Sequence, residues 1–472
     1  MNKNDQSAGT RPTHQTVAPK IQFQSANKSI QIAFTDQQLS PHAGAATFGA
    51  FLQGSGWIAL LGKCLPHPQP KSNNQLTPLC KALGFLHGLL CGAKKVTHVA
   101  YLRRDPLVPE MLGIKRVASQ SVLSRFFQGF SSAGRNLHCF RRLFGWCLER
   151  FPSRPGGYAL DLDSTRLLHE DGHQEGVAVG YTRIGNKPCL HPLLAVLSEV
   201  RLVASFWLRP GNSGCANNTL SFFLDLWENL PHHLRLRVVR ADSGFCVAEL
   251  LRLWEALQLK FVVAARLTRP LQSCLKKETA WHGTKIAGTE VAELEYREQD
   301  WPASVRLIVI RHRTADPPGR AGGKRLFDCP GYLYQGVVTN LPRTEQPVAV
   351  WREYNGRAAC EGIIKELDAG YGLPQLACQG FWGTEAVLTL GVLAHNLIVL
   401  FERKLGWQEA VTIGSLRYWL FVTAGVLGQG QGRTTIKLAV PPKERAWWQR
   451  LWEKLLSPFP NCNAVENRPA LP

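Results

Sequence analysis

Residues 157–165 read GYALDLDST. In an extended segment successive side chains point to opposite faces, so Leu160 and Leu162 share one face and Asp161 and Asp163 the other. Two carboxylates on one face of a mostly apolar strand are expensive to bury unless a cation meets them. A second run, LRLRVVRADSGF at 234–245, delivers Asp242 to a strand end just before a Ser-Gly turn. Ligands gather at such strand ends in α/β sheets. Around these lie strand-like runs GVAVGYTRI, PLLAVLSEVRLVASFWL and KFVVAARL, with helical runs at 216–229 and 247–258 between the later ones. Three early strands in series, then strand and helix in alternation, predict an α/β fold: a mixed sheet with helices on its faces.

Further along, EYNGRAACEGIIKELDAGYG at 353–372 has the period of one amphipathic helix. Wound at 100° per residue, Tyr354, Arg357, Glu361, Lys365 and Asp368 form one stripe opposite Cys360, Ile363, Ile364 and Leu367. Taken singly, each acid has an ordinary explanation. Asp163 before Ser164 and Thr165 suits a turn or a cap, Asp242 an Asx turn, and Glu361 a solvated helix face. Taken together, carboxylates from two strand ends and a helix are the hard oxygen ligands that Mg²⁺ or Mn²⁺ prefers, and two such ions suit phosphoryl transfer. On the same stripe Arg357 could reach a phosphate, and Tyr354 could hydrogen-bond the same backbone or stack on a base.

The chain has 472 residues, 45% hydrophobic and 19% charged, which describes a globular protein of more than one domain. Its net charge is +20, and the first 150 residues hold 18 Lys and Arg against 5 Asp and Glu. Basicity concentrated in this way points to a polyanion partner, most often nucleic acid. Within that third, VPEMLGIKRVASQSVLSRFFQ at 108–128 has helix–turn–helix character. It makes Lys115, Arg116, Gln120 and Arg125 candidate groove or phosphate contacts, while a plain helical hairpin packed on the core fits as well. Thirteen cysteines without any C-x-x-C spacing exclude a zinc ribbon and predict free thiols in a reducing cytoplasm. The apolar segment 386–401 contains His395 and Asn396 and reads as a buried helix, so no membrane is expected. The amphipathic RAWWQRLWEKLL at 445–456 reads as a core or dimer-contact helix.

These segments also resemble a known family. DLDST at 161–165, QEGVAVGY at 174–181, HPLLA at 191–195, LRLRVVRADSGF at 234–245, YNGRAACEGIIKEL at 354–367 and, in the first third, residues 102–126 are similar to DDE transposases of bacterial insertion sequences, the insertion-sequence 1380 family. The resemblance implies an RNase H-like catalytic core whose triad maps onto Asp163, Asp242 and Glu361. Asp161 is an alternative first aspartate or a supporting residue, and the cofactor is two Mg²⁺ or Mn²⁺ ions. Tyr354, Arg357 and Glu361 match the related group's helix signature. The position of its lysine holds Asp368, and Lys365 is the nearest cation. The implied function is binding of terminal inverted repeats, strand cleavage and strand transfer on double-stranded element ends and target DNA. A homodimer in a nucleoid-associated synaptic complex is expected. A nuclease without joining activity, or an inactive DNA-binding relic, are the rival readings.

The resulting organisation is a flexible leader at 1–40, a helical basic DNA-binding region at 41–150, and the catalytic core at 151–265 and 345–405. A β-rich insertion fills 266–344 and a C-terminal helical region 406–472.

Overall fold

In the computed structural model, residues 21–182, 184–278, 280–298, 301, 304–313, 331–430 and 433–459 are described. Four helices of the first third matter below: α1 (Pro78–Leu90), α2 (Leu107–Leu112), α3 (Gln120–Gln128) and α4 (Ala133–Leu148). Thr77 caps α1 by accepting from the Cys80 N–H, with Pro78 at the first helical position. Helix α2 stops at Gly113, whose φ of 62° suits the residue without a Cβ. Phe126, Phe127 and Phe130 stack with one another and with Phe140 of α4, which fixes these helices as one packed layer.

The central sheet begins with β1 (Tyr158–Ser164), β2 (Leu193–Leu197) and β3 (Leu202–Trp207), an antiparallel series. Helix α5 (Thr219–Asn229) leads to β4 (Leu236–Ala241), and α6 (Ala248–Ala256) to β5 (Phe261–Ala264). Strand β4 lies parallel to β1, and β5 parallel to β4. The order β3-β2-β1-β4-β5 is that of an RNase H-like core. All five residues of β2 are buried, as expected of a continuous apolar run covered on both faces.

Several expectations need correction. The third run is two strands, split by a tight turn at 198–201 where Arg201 takes a φ of 54°. The run at 176–184 does not enter the central sheet. Ala178–Thr182 pairs with Gly185–Leu190, which pairs in turn with Leu167–Leu168 in a small separate sheet, because alternation dictates a half-buried strand but not its partner. The C-terminal region is not wholly helical: Gly425–Gly430 and Arg433–Leu438 form a hairpin that pairs with Leu39–Ser40. The end of the leader is therefore built into the fold, and Ile21–Gln24 and Ser29–Ile32 make an exposed hairpin before it. Residues 1–20 and 460–472 lie outside the described residues.

The 266–344 region supplies β6 (His282–Gly283), β7 (Thr289–Tyr296), β8 (Val305–Arg313) and β9 (Tyr332–Thr339). Strand β9 pairs antiparallel with β5, Val338 opposite Val263, so this region extends the central sheet to nine strands. Helices α7 (Pro347–Asn355), α8 (Ala358–Tyr371), α9 (Phe381–Leu405) and α10 (Arg445–Leu456) follow. Helix α9 is long and apolar enough to cross a membrane by length and composition, but it is buried inside the fold. It closes the β3 edge of the sheet. The Asn396 amide donates to the Val203 carbonyl and accepts from its N–H, as a neighbouring strand would, and Glu385 accepts from the Leu208 N–H. Trp448, Leu451 and Leu455 of α10 are buried in the core. Eleven described cysteines are all free.

Candidate active site

The register of β1 and β4 pairs Asp161 with Arg240 and Leu162 with Ala241. One step further, Asp163, the last residue but one of β1, comes level with Asp242, the residue after β4. Asp242 Oδ1 accepts from the Gly244 N–H at 2.8 Å, so the Asx-type turn that explains this aspartate by itself also fixes its carboxylate at the strand tip. Gly244 is required there, since a Cβ would stand 2.5 Å from the Cys215 Cβ. Asp163 is buried; its Oδ1 accepts from the Ser164 N–H and its Oδ2 meets Arg357 Nη2 at 2.7 Å. Glu361 sits on the first turn of α8 with a side chain 46% exposed, and Arg357 Nη1 lies 4.0 Å from it.

The stripe predicted at 353–372 is not carried by one helix. Helix α7 ends at Asn355 and α8 starts at Ala358, joined by a tightened turn in which Arg357 N–H bonds to Tyr354 O and Cys360 N–H to Arg357 O. The cause is tertiary. Arg240 donates from Nη1 to the Glu353 carbonyl at 3.0 Å and fills the space beside Gly356, where a Cβ would lie 2.3 Å from that nitrogen. Tyr354 thus closes α7, buried among Val350, Trp351 and Ile308, while Arg357 opens α8. Lys365 is exposed. Asp368 is half-buried with Oδ1 lacking a partner, and burial pushes its carboxyl up to about 6. Asp368 is therefore turned partly into the protein, whereas Lys365 stays exposed.

Asp163 is raised to about 6 although it is ion-paired. Burial is the largest cause; Arg357 opposes it, and the nearby charges of Asp242 and Glu361 reinforce it. Its partner behaves in the complementary way: burial works against the Arg357 charge, yet Asp163, Tyr354 and Asp242 outweigh it and raise its pKa. Burial raises the Tyr354 hydroxyl; the charge of Arg357 opposes this, and those of Asp242, Asp163 and Glu361 add to it. Arg357 Nε is buried without a partner. Asp163 and Glu361 thus flank one incompletely bonded guanidinium, which also feels the charge of Asp242.

Asp161 does not join them. It is fully buried and grips Arg240 through two bonds, Nε to Oδ1 at 2.6 Å and Nη2 to Oδ2 at 2.9 Å, with the Ser198 hydroxyl donating to Oδ2. Glu353 extends this chain, bonding Arg240 and, through both oxygens, Arg237. Sequence reading missed Arg240, Glu353 and Ser198. The signal for Arg240 was an arginine in the apolar run VVRA, 79 residues beyond Asp161 in the chain, but the register that joins them is not written in either segment.

As donors, the acids fit a divalent cation in type and in charge: all are hard oxygens, and their mutual repulsion marks a place where added positive charge is favourable. Among the described residues no three such side chains stand close enough to enclose an ion, since Asp163 is held by Ser164 and Arg357. A cleft of about 500 Å³ beside Asp242 is lined by Ser243, Arg266, Thr268, Gln335 and Tyr354. A cavity of about 600 Å³ between α4, β3, α5 and α9 contains none of the three acids.

The remaining candidates lie on the N-terminal helices. Lys115 Nζ donates to the Asn73 carbonyl and Arg116 Nη2 to that of Asn74, so both tie a loop to the α2–α3 connection. Gln120 and Arg125 are exposed on α3.

The profile of a family described as "Transposase DDE domain group 1" matches residues 22–457. No curated protein sequence gives a significant match. Among solved structures, a cryo-EM structure of a piggyBac transposase synaptic complex with hairpin DNA is similar at a TM-score of 0.42 and 12% identity, over 81% of each chain. That likeness is too distant to carry residue roles across.

Proposed function

The chain belongs to the transposase DDE domain family, group 1, and from that membership we propose that it is a DNA transposase using Asp163, Asp242 and Glu361 as its acids. The observation that carries this assignment is their placement: neighbouring parallel strand ends under the first turn of α8, with Asp163 raised in part by the other two. Family membership makes the chain a transposition enzyme. The finer reading is that it binds terminal inverted repeats, hydrolyses a phosphodiester at the element end and joins the freed 3′-hydroxyl to target DNA. The resemblance of its motifs supports placing it with the insertion-sequence 1380 transposases.

Members of the family use divalent metal ions; Asp163, Asp242 and Glu361 would hold Mg²⁺ or Mn²⁺, which stabilises charge on the attacking and leaving oxygens. The chain's own residues then position the DNA. Arg357 has the fork geometry for a phosphate and stands between Asp163 and Glu361. Tyr354, at the edge of the cleft beside Asp242, offers a hydroxyl to the same strand. Asp161, buried under Arg240, supports the α7–α8 junction and is not a ligand in this reading. Both reactions are in-line displacements at phosphorus: one P–O bond forms as another breaks, with no covalent protein intermediate.

The test is cleavage of DNA carrying the flanks of this gene, with Mg²⁺, by the full chain and by Asp242→Ala and Glu361→Ala. Wild type is expected to cut at the element ends, and the variants to bind the same DNA without cutting. The assignment is overturned if both variants cut as well as wild type. Strand transfer of a pre-cut end into plasmid separates a transposase from a nuclease that does not join.

A further inference from the structure

A groove of about 720 Å³ opens on the helical N-terminal region. Its walls come from separate pieces of chain: the 67–75 loop, α1, the stretch after Tyr101, the α2–α3 connection and α3 itself. Lys71, Lys81, Arg103, Arg116 and Arg125 line it, and no aspartate or glutamate does. Among the described residues none of these five makes an ion pair; Arg116 donates only to the Asn74 carbonyl, which holds the loop in place as a wall. The start of α3 at Ser119, which no side chain caps, also faces the groove and adds the partial positive charge of a helix N-terminus. Lys81 is held below the usual lysine range, by burial first and then by the charge of Arg125. Cations here crowd one another, and among the described residues no carboxylate pairs with them.

Like charges gathered within a Debye length repel, and the repulsion is relieved when a polyanion fills the space between them. The size and spread of the groove exceed what a single phosphate needs, since five cations on different elements can each meet a separate anionic oxygen. Val117, Val122 and Phe126 add apolar lining between the cations, and the polar side chains of Gln69, Asn74, Gln75 and Ser119 line the same groove. We propose that this groove binds the sugar–phosphate backbone of nucleic acid, gripping it through its five cations, with Lys71, Lys81 and Arg103 as contacts beyond those the helix–turn–helix pattern indicated. This rests on the DNA-acting function proposed above and adds a second place of contact, apart from the three acids.

The experiment is fluorescence anisotropy of a labelled duplex of arbitrary sequence, titrated with the full chain across a range of KCl. Lys71→Gln/Lys81→Gln/Arg103→Gln is compared with wild type and with a control that removes three exposed cations elsewhere, Lys443→Gln/Arg445→Gln/Arg450→Gln. The groove variant should lower the slope of log K against log [salt] by about 2–3, and the control by less than about 1. Affinity at 0.1 M KCl should fall at least tenfold for the groove variant, with the preference for element-end DNA unchanged. Equal slopes for wild type and groove variant, or equal losses in both variants, overturn the site. If inorganic tripolyphosphate occupies the groove while the duplex slope stays at the wild-type value, the groove takes small anions only and the proposal falls. A flat salt response of the wild type itself would instead count against the transposase reading.

Discussion

Helix α8 carries Glu361 on its first turn and Glu366 little more than one turn later, and their surroundings differ in kind. Glu366 meets Arg201 at 2.7 Å and accepts from the Ile413 N–H; Glu402 of α9 takes the other arm of Arg201 and the Val411 N–H. Every carboxylate in that cluster has a partner, and its arginine is shared by two acids. At the other end of the helix three acids face one arginine whose Nε is unpartnered, and Glu361 remains nearly half exposed. Both clusters shift pKa values, so a perturbed pKa does not separate a scaffold from a site. What separates them is whether the acids still have unmet demand for positive charge and a path to solvent.

The sharpest way to break the comparison is to remove an acid from each cluster. Asp242→Ala or Glu361→Ala should reduce cleavage on the order of 10³-fold, as expected when a direct stabiliser of developing charge is lost. The melting temperature should stay within a few degrees. A variant that unfolds would erase the distinction. In the closed cluster the effect should reverse. Arg201→Met leaves Glu366 and Glu402 buried without their cation and should cost about 3–4 kcal/mol in urea unfolding. Cleavage per folded molecule should be retained.

Smaller effects sharpen the picture through pH. Burial raises Glu402 to about 7 in spite of Arg201. Its folded pKa lies above the unfolded value, so its contribution is complete below about pH 4.5 and is lost as pH rises through about 7. Wild type should therefore lose about 2 kcal/mol from this group between pH 5 and 8, and Glu402→Gln should flatten that part of the curve in thermal melts. Asp368, raised to about 6 by burial alone, has the same sign. Asp368→Asn should stabilise the protein by only about 1 kcal/mol at pH 8, after allowance for its partial exposure, and by nothing measurable at pH 5. An equal gain at both values would mean that the carboxylate is not strained.

The sequence made some of this legible and withheld the rest for identifiable reasons. Asp163 and Asp242 could be found because strand alternation and the end of an apolar run are local signals. Their adjacency could not, since it depends on the register of β1 with β4. The break at Gly356 was invisible because both residues of the junction keep right-handed helical angles, so the 3.6-residue period runs on through them. Only Arg240, more than a hundred residues earlier, reveals why the chain turns there. The hairpin at 425–438 was hidden by its glycines, which carry no alternation. The charge count flagged the basic first third. It gave no means of selecting Lys71, Lys81 and Arg103 from the other cations, because folding alone gathers them around one groove.

The Asn396 amide that stands in for a tenth strand has a consequence for growth of the sheet. At β3 the rim is already hemmed by a side chain, so an extended peptide from another molecule finds its hydrogen-bonding positions taken. At the opposite rim, β6 is two exposed residues, His282 and Gly283, with no strand outside it among the described residues. Lateral extension of this sheet is therefore one-sided: β6 pairs only with Glu290 and Val291, and among the described residues no strand lies beside the rest of β7 on that rim.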